Sequence, residues 1–268
     1  MSIKFLPIKS EANPRFKRWK KVLENTRSMR KEGITLAEGA HLVQVLLQRN
    51  WSVNAVLLSE KGINDEAQTL LDAFDGKDVP VFVLASHLYD ELSPVEHGAG
   101  IMCEIALPEN PQKPTEPVDA LYLDGVQDPG NIGTLIRTAV AAGVKHIAAS
   151  PTTAHFFSAK ALRAGMGAHF GAHLYEKVEP SELKELFGAR VLAADARGGT
   201  DVYQNSHWCE TKTCWMMGAE GPGISQKALD EADERLYIPI ESDCESLNVA
   251  AAAAICLFEQ RRRRLLTR

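Results

Sequence analysis

Three short stretches of the chain combine glycine, proline and polar side chains in a way suited to chemistry on a bound ligand. The first is Asp124-Gly-Val-Gln-Asp-Pro-Gly-Asn131-Ile-Gly133, which runs into a helix carrying Arg137. Asn131 reads as the N-cap of that helix. The free N–H groups and the positive dipole end of such a helix suit a phosphate. The second is Met217-Gly218-Ala-Glu220-Gly-Pro-Gly223-Ile-Ser225, where three glycines around one carboxylate let backbone approach a ligand closely. The third is Ile238-Pro-Ile-Glu-Ser-Asp-Cys-Glu-Ser246-Leu247-Asn248-Val, a polar loop entering a helix whose first turns are almost all alanine. A helix that thin fits tightly against a sheet, another subunit or a passing segment of chain. The plain alternatives are a capped core helix, a turn capped by Ser225 and a well-packed core helix.

Other chemistries lack their residues. Gly165-Met-Gly167-Ala-His-Phe170 fails the dinucleotide-binding fingerprint at its last position and follows no predicted strand, and there is no phosphate loop ending in Gly-Lys-Ser/Thr. His169 and His173 are spaced for one helix face, but no Glu or Cys completes a zinc set, so no metal is expected. Cys103, Cys209, Cys214, Cys244 and Cys256 are odd in number and form no CxxC pair; they read as reduced thiols of a cytoplasmic protein. Nothing in the sequence has the length of a membrane span or the pattern of a signal peptide.

The elements that must carry the three loops alternate. Pro108, Pro111, Pro114 and Pro117 mark an extended linker at 108–117 between a domain at 1–107 and another at 118–268. In the first, Asn13-Pro14 opens a helix with Phe16, Trp19, Val22 and Leu23 at helical spacing, ended by Gly33. Strands at 34–37, 53–58, 79–84 and 100–107 alternate with helices at 41–49 and 66–74 and with a short one capped by Ser86, the pattern of a small α/β domain. In the second, strands at 120–123, 146–149, 190–194, 213–217 and 236–240 alternate with helices at 132–142, 159–165, 181–187, 226–232 and 248–266. Short apolar strands between helices imply a parallel sheet buried on both faces. Ligands of such sheets bind beyond the strands' C-terminal ends, where all three loops fall.

Charge is unevenly spread over the 268 residues. The first 35 hold ten Lys/Arg against three Glu, or +7, so the rest carries −12 within a total of −5. Arg261 to Arg264 and Arg268 form a second basic cluster. Basic ends on an acidic body suggest a polyanion gripped at defined places.

Together the three loops resemble the signature motifs of the SpoU/TrmH family of RNA ribose 2′-O-methyltransferases, within the SPOUT superfamily. The matching segments are Asp128-Pro-Gly-Asn131-Ile-Gly-Thr-Leu-Ile-Arg137, Gly218-Ala-Glu220-Gly-Pro-Gly223-Ile-Ser225, and Ser246-Leu-Asn248-Val with its alanine run. Phe16-Lys-Arg-Trp-Lys-Lys and Leu36-Ala-Glu-Gly-Ala-His-Leu-Val are similar to the RNA substrate-binding domain of two-domain members. The resemblance implies an α/β fold whose C-terminal segment is tucked into a trefoil knot, S-adenosyl-L-methionine as cofactor, and a homodimer with the active site at the subunit interface. It implies a catalytic set of Asn131, Arg137, Glu220, Ser246 and Asn248, with Gly218, Ile238 and Leu247 holding the cofactor. RNA would be bound by Lys17, Arg18, Lys20, Lys21 and Arg163. Gly165, Ala219 and Ala250 depart from the residues many members carry there. The activity implied is methylation of a ribose 2′-hydroxyl in structured RNA, with large-subunit ribosomal RNA favoured; the alternatives are a tRNA substrate or a non-catalytic RNA-binding protein of ribosome assembly. For Arg137 an electrostatic clamp is the better role than a base. Its free pKa lies near ~13.8, and lowering it to about 8 would cost roughly 8 kcal/mol at ~1.36 per unit.

Overall fold

The computed structural model describes residues 3–93, 98–204 and 207–266. It divides into two compact units. One takes Met1–Glu109 together with Phe157–Phe170, the other Asn110–Phe156 together with Gly171–Arg268. The segment Phe157–Phe170 therefore leaves the second half, where the linker-based boundary puts it, and joins the first unit. Contacts hold it there: Thr35 Oγ1 donates to the Phe157 carbonyl at 2.8 Å, and Trp51 packs on Phe170 with ring centres 5.0 Å apart.

The first unit contains strands β1 (Phe5–Ile8), β2 (Ile34–Glu38), β3 (Val53–Ser59), β4 (Val81–Leu84) and β5 (Ile101–Ala106), in the order β1-β4-β3-β5-β2. β1, β4 and β3 run parallel; β5 is antiparallel to both β3 and β2. Its helices are α1 (Pro14–Glu24), α2 (Thr26–Glu32), α3 (Ala40–Gln48), α4 (Asp65–Asp72) and α5 (Ser86–Leu92), with α7 (Ala159–Gly165) from the returning segment. The expected single helix up to Gly33 is two. Asn25 takes an extended backbone, and its side chain accepts from the N–H groups of Arg27 and Ser28, capping a new helix. α5 begins at Ser86 but is preceded by Ala85, whose side chain cannot cap, so Ser86 is not the cap. Phe16, Trp19 and Val22 of α1 are buried, in a core with Leu36, Leu57, Phe82 and Met102. The Trp19 indole N–H donates to the buried Glu104 carboxylate, a bond that fixes α1 against β5.

The second unit holds a seven-stranded sheet, every pair parallel: β6 (Ala120–Asp124), β7 (His146–Ala149), β8 (His173–Tyr175), β9 (Arg190–Ala194), β10 (Thr200–Asp201), β11 (Thr213–Gly218) and β12 (Glu234–Tyr237). The order is β10-β12-β9-β11-β6-β7-β8. α6 (Pro129–Ala142), α8 (Leu183–Phe187), α9 (Gln226–Leu229) and α10 (Val249–Leu266) accompany it. Strands β1, β8 and β10 had no sequence signal: they have two to four residues and no alternation to read.

α10 packs along α6 and against β11. Its alanines permit the close approach, with Ala250 and Ala253 buried. Gln260 then accepts from the Trp215 indole N–H at 2.6 Å and the Thr213 hydroxyl at 2.7 Å, tying α10 to the sheet. The arginines after it are not spare charge. Arg264 bonds Asp119 at 2.6 Å and two carbonyls, Arg263 bonds Glu259 and the carbonyls of Val202 and Tyr203, Arg262 bonds Glu259, and Arg261 reaches the Ala142 carbonyl. Arg261, Arg263 and Arg264 therefore staple α10 to the body, whereas exposed Arg262 bonds only Glu259 of its own helix among the described residues. Arg268 lies outside the described residues.

Candidate functional site

The start of the loop after β6 is bonded to the segments that follow β7 and β11. The Gly125 N–H donates to Ser150 Oγ and Thr153 Oγ1, both at 3.0 Å, and buried Asp124 accepts from the Ser225 N–H at 2.7 Å. The N-cap of α6 is Asp128 rather than Asn131: its carboxylate accepts from the Asn131 N–H at 2.9 Å. Pro129 occupies the first helical position, which suits its fixed φ and missing N–H. Releasing Asn131 from capping leaves its side-chain amide free for other work.

That amide joins two other parts of the chain. Asn131 Nδ2 donates to Glu220 Oε1 at 2.6 Å, and Asn131 Oδ1 accepts from Asn248 Nδ2 at 3.1 Å. Asn248 Oδ1 in turn accepts from the N–H groups of Ala250 and Ala251, capping α10. The second carboxylate oxygen of Glu220 accepts from the Gln127 N–H at 3.4 Å. The direction of this relay is fixed at one end by the helix. Only an acceptor can face the N–H groups of α10, so Asn248 must donate to Asn131, Asn131 must donate to Glu220, and Glu220 must accept.

Glu220 is held by a tight loop. Ala219 and Gly223 exchange backbone hydrogen bonds of 3.1 and 2.9 Å. A side chain on Gly218 would meet the Ile224 nitrogen at 2.1 Å, so no other residue fits there. Beside the loop a cavity of about 500 Å³ is lined by Gly218, Glu220, Ile224, Ile238, Ser246, Leu247 and Asn248, at the C-terminal ends of β9, β11 and β12. The volume falls in the range of roughly 300–1,000 Å³ of small-molecule sites. Ile240 and Leu247 expose apolar side chains there, and the carboxylates of Glu220 and Glu245 add negative charge, while Asp195 is paired with Arg197, also in the lining. Apolar walls and close backbone suit a small organic ligand.

Of the expected site residues, Asn131, Glu220 and Asn248 are bonded together, and Gly218, Ile238, Leu247 and Ser246 share one cavity with Glu220 and Asn248. Arg137 makes no hydrogen bond to any of them. It is exposed on the Thr134–Arg137–Ala141 stripe of α6 and makes no hydrogen bond or ion pair among the described residues. The expected RNA contacts lie in the first unit. Lys17 and Lys21 are exposed, whereas Arg18 is paired with Glu32 at 2.9 Å and with Glu104, and Lys20 with Glu91 at 2.7 Å. Arg163 is exposed on α7 and acts electrostatically on Glu38.

Asp195 and Arg197 also line the cavity and were missed in the sequence. Arg197 bonds Asp195 at 2.9 Å and reaches the Ile224 carbonyl at 3.1 Å, while Arg235 bonds Asp195 from the other side. Burial pushes the Asp195 carboxyl up, but the hydrogen bonds of Arg197 and Arg235 outweigh it and hold the carboxyl below its ordinary range. The available signal was Gly198-Gly199, a glycine pair four residues after the end of a strand; a Cβ on Gly199 would strike the Arg235 carbonyl.

A parallel sheet with a cavity across its strand ends, bordered by a polar relay, defines an α/β enzyme that holds a small ligand at that edge. The model of the SpoU rRNA Methylase family matches residues 120–258, and that of the MRM3-like substrate binding domain matches residues 13–103. The chain is 33% identical to the 23S rRNA (guanosine(2553)-2′-O)-methyltransferase RlmP of Bacillus subtilis, over 95% of this chain and 98% of that one. It is 28% identical to the 23S rRNA (guanosine-2′-O-)-methyltransferase RlmB of Escherichia coli, over 84% and 97%. The fold is that of the SpoU methyltransferase AviRb of Streptomyces viridochromogenes, solved in complex with AdoMet, with a TM-score of 0.86 over 94% of this chain, 98% of that chain and 23% identity. The chain belongs to the SpoU rRNA Methylase family.

Proposed function

We propose that this protein transfers a methyl group from S-adenosyl-L-methionine to a ribose 2′-hydroxyl of large-subunit ribosomal RNA in the cytoplasm. The observation that carries the reading is the Asn248–Asn131–Glu220 relay on the border of the cavity. The family match and the two rRNA methyltransferase relatives support the same reading. No helix among the described residues is long and apolar enough to cross a membrane, and none of their His, Cys, Asp and Glu side chains cluster to hold a metal.

The cavity residues suit the cofactor. Gly218, Ile238 and Leu247 would hold it, largely through backbone and apolar contact, with the carboxylates of Glu220 and Glu245 among the lining groups available to its positive charge. Bound there, S-adenosylmethionine supplies a methyl on a sulfonium that leaves as a neutral thioether. The protein's part is to set the 2′-oxygen in line and stabilise its loss of a proton. Asn131 and Glu220, held in one polarity by the α10 cap, orient the hydroxyl at the cavity border. Arg137 clamps the adjoining phosphate and the 2′-oxygen.

Arg137 is exposed and makes no bond to the relay of its own chain, which favours a homodimer in which each Arg137 serves the partner's site. A second feature supports dimerisation: Ala251, Ile255, Phe258 and Leu265 follow helical spacing on one side of α10, and Phe258 and Leu265 are 45% and 55% exposed. In this reading the knot of the family is formed by α10 and its preceding loop, and the first unit, with Lys17, Arg18, Lys20, Lys21 and Arg163, holds the RNA. Mapping ribose methylation in total RNA from cells with and without the protein tests the function. One large-subunit nucleotide should lose its 2′-O-methyl group and regain it with the wild-type gene but not with Arg137→Ala. Loss of a tRNA methyl group instead, or of none, refutes it.

A further inference from the structure

We infer that Arg197 anchors the α-carboxylate of S-adenosyl-L-methionine and so sets where the amino-acid arm of the cofactor lies. The inference rests on the cofactor reading above. Among the described residues that line the cavity, Arg197 is the one cation; the other charged groups are Asp195, Glu220 and Glu245. A carboxylate entering the cavity is repelled by Glu220 and Glu245 and attracted by Arg197. Asp195 does not cancel that attraction. It is 4% exposed and accepts from two arginines, from Arg197 Nε at 2.9 Å on one oxygen and from Arg235 Nη2 on the other. Two positive charges on one carboxylate leave one positive charge over.

The side chain is also fixed in direction. Beside its bond to Asp195, Arg197 donates through Nη2 to the Ile224 carbonyl at 3.1 Å, so the fork ties the loop after β9 to the loop after β11. The Arg197 backbone N–H adds a bond to Asp195 Oδ1 at 3.2 Å. These contacts use two of the five guanidinium N–H groups. The other three, both of Nη1 included, have no partner among the described residues, and the side chain is 54% exposed. A planar fork held in this way takes up a carboxylate with little further loss of freedom. The anion belongs to the ligand in the cavity and not to the RNA backbone. Arg197 comes from the loop after β9, Asn131 of the relay from the helix after β6, and β11 runs between those two strands. The cofactor carries one carboxylate, on its amino-acid arm. Held by Arg197, that arm lies on the β9 side of β11, away from the relay that orients the 2′-hydroxyl.

The test is titration calorimetry with S-adenosylmethionine and with its decarboxylated analogue, which keeps the sulfonium, the methyl and the amine and lacks only the carboxylate. Wild type should bind the parent about tenfold tighter, the low end for a hydrogen bond to a charged group, because half-exposed Arg197 is screened by solvent. Arg197→Met should weaken the parent by about that factor and bring the ratio of the two dissociation constants close to one. The fold should hold, since Asp195 keeps its bond from Arg235. If Arg197→Met does not fold, Arg197→Gln replaces it. A merely structural role would weaken both ligands alike and leave the ratio intact, which overturns the proposal, as does a wild-type ratio near one. Binding of a large-subunit ribosomal RNA transcript without cofactor should be the same in variant and wild type. A loss of RNA affinity with the ligand ratio intact assigns Arg197 to a phosphate and also overturns the proposal. If wild type binds neither ligand, the cofactor reading itself falls and the proposal with it.

Discussion

The relay through Asn248, Asn131 and Glu220 has one polarity, and two nearly isosteric substitutions probe it. Glu220 accepts at both oxygens, from Asn131 Nδ2 at 2.6 Å and the Gln127 N–H at 3.4 Å. Glu220→Gln replaces one acceptor by an NH₂ group, and whichever way the new amide turns, two donors face each other. Asn131 cannot flip to relieve this, because its oxygen already accepts from Asn248, whose own oxygen caps α10 at 2.9 Å. One bond must be lost, and the negative charge with it. A lost bond to a charged group costs about 1.5–3 kcal/mol, so methyl transfer should fall by about ten- to a hundredfold at ~1.36 kcal/mol per decade. Asn248→Asp separates the relay from the cap. The carboxylate still accepts from the N–H groups of Ala250 and Ala251, and negative charge at a helix N-terminus is favourable. Yet it no longer donates to Asn131, so the melting temperature should hold while turnover falls by a similar factor. Single-turnover methylation, calorimetric cofactor binding and thermal melts on the same samples decide the matter. Wild-type turnover in either variant refutes the relay. Loss of activity strictly parallel to loss of stability reduces these residues to fold elements.

Three other perturbations have defined outcomes. Lys17→Ala and Lys21→Ala should each reduce the slope of log K against log salt for RNA binding by about 0.7–0.9, whereas Lys20→Ala should do less because Lys20 is already paired with Glu91; equal slopes for all three variants and wild type would mean that this face is only solvated. Phe258→Glu should turn a dimer into a monomer in sedimentation and abolish turnover while leaving the fold intact; an active monomer counts against a shared site. Glu259, buried at 9% exposure, is held at about 2 by its hydrogen bond from Arg262, aided by Arg263 against the opposing effect of burial. Its folded pKa lies below the unfolded value of 4.5, so its stabilisation is full above that value and is lost as pH falls through about 2. The upper limit is about 3 kcal/mol, less the screening of exposed Arg262, and Glu259→Gln should remove that part of the acid dependence in chemical denaturation.

The sequence carried the alternation of the larger domain well, because buried parallel strands are short apolar runs and the helices between them keep their period. It failed where a decision lay in three dimensions. Asn131 and Asp128 are both good caps, three residues apart, and only the path of the loop after β6 gives the cap to Asp128 and frees Asn131. Arg261 to Arg264 read as a free charge run because, apart from Glu259 on the same helix, their partners (Asp119 and a set of backbone carbonyls) come from segments far away in sequence. Asn25 breaks a helix that the apolar spacing would continue, since local capping competes with the period and wins where the chain must turn toward β2.

The same logic explains why the site itself was legible and its wiring was not. Glycines that no side chain can replace, such as Gly218, leave a mark in composition, and so does an alanine run that must pack closely along α6. A hydrogen-bond polarity leaves none. Asn, Gln and Glu in loops are ordinary residues until one fixed end imposes a direction on all of them. Here that end is the N-terminus of α10, whose N–H groups can donate only to the oxygen of the Asn248 amide. The requirement passes through Asn131 to Glu220 and ends at the N–H of Gln127. A helix cap that would otherwise contribute only stability thus sets the orientation of the groups at the cavity border. A substitution that preserves the cap but reverses one bond should therefore separate folding from chemistry.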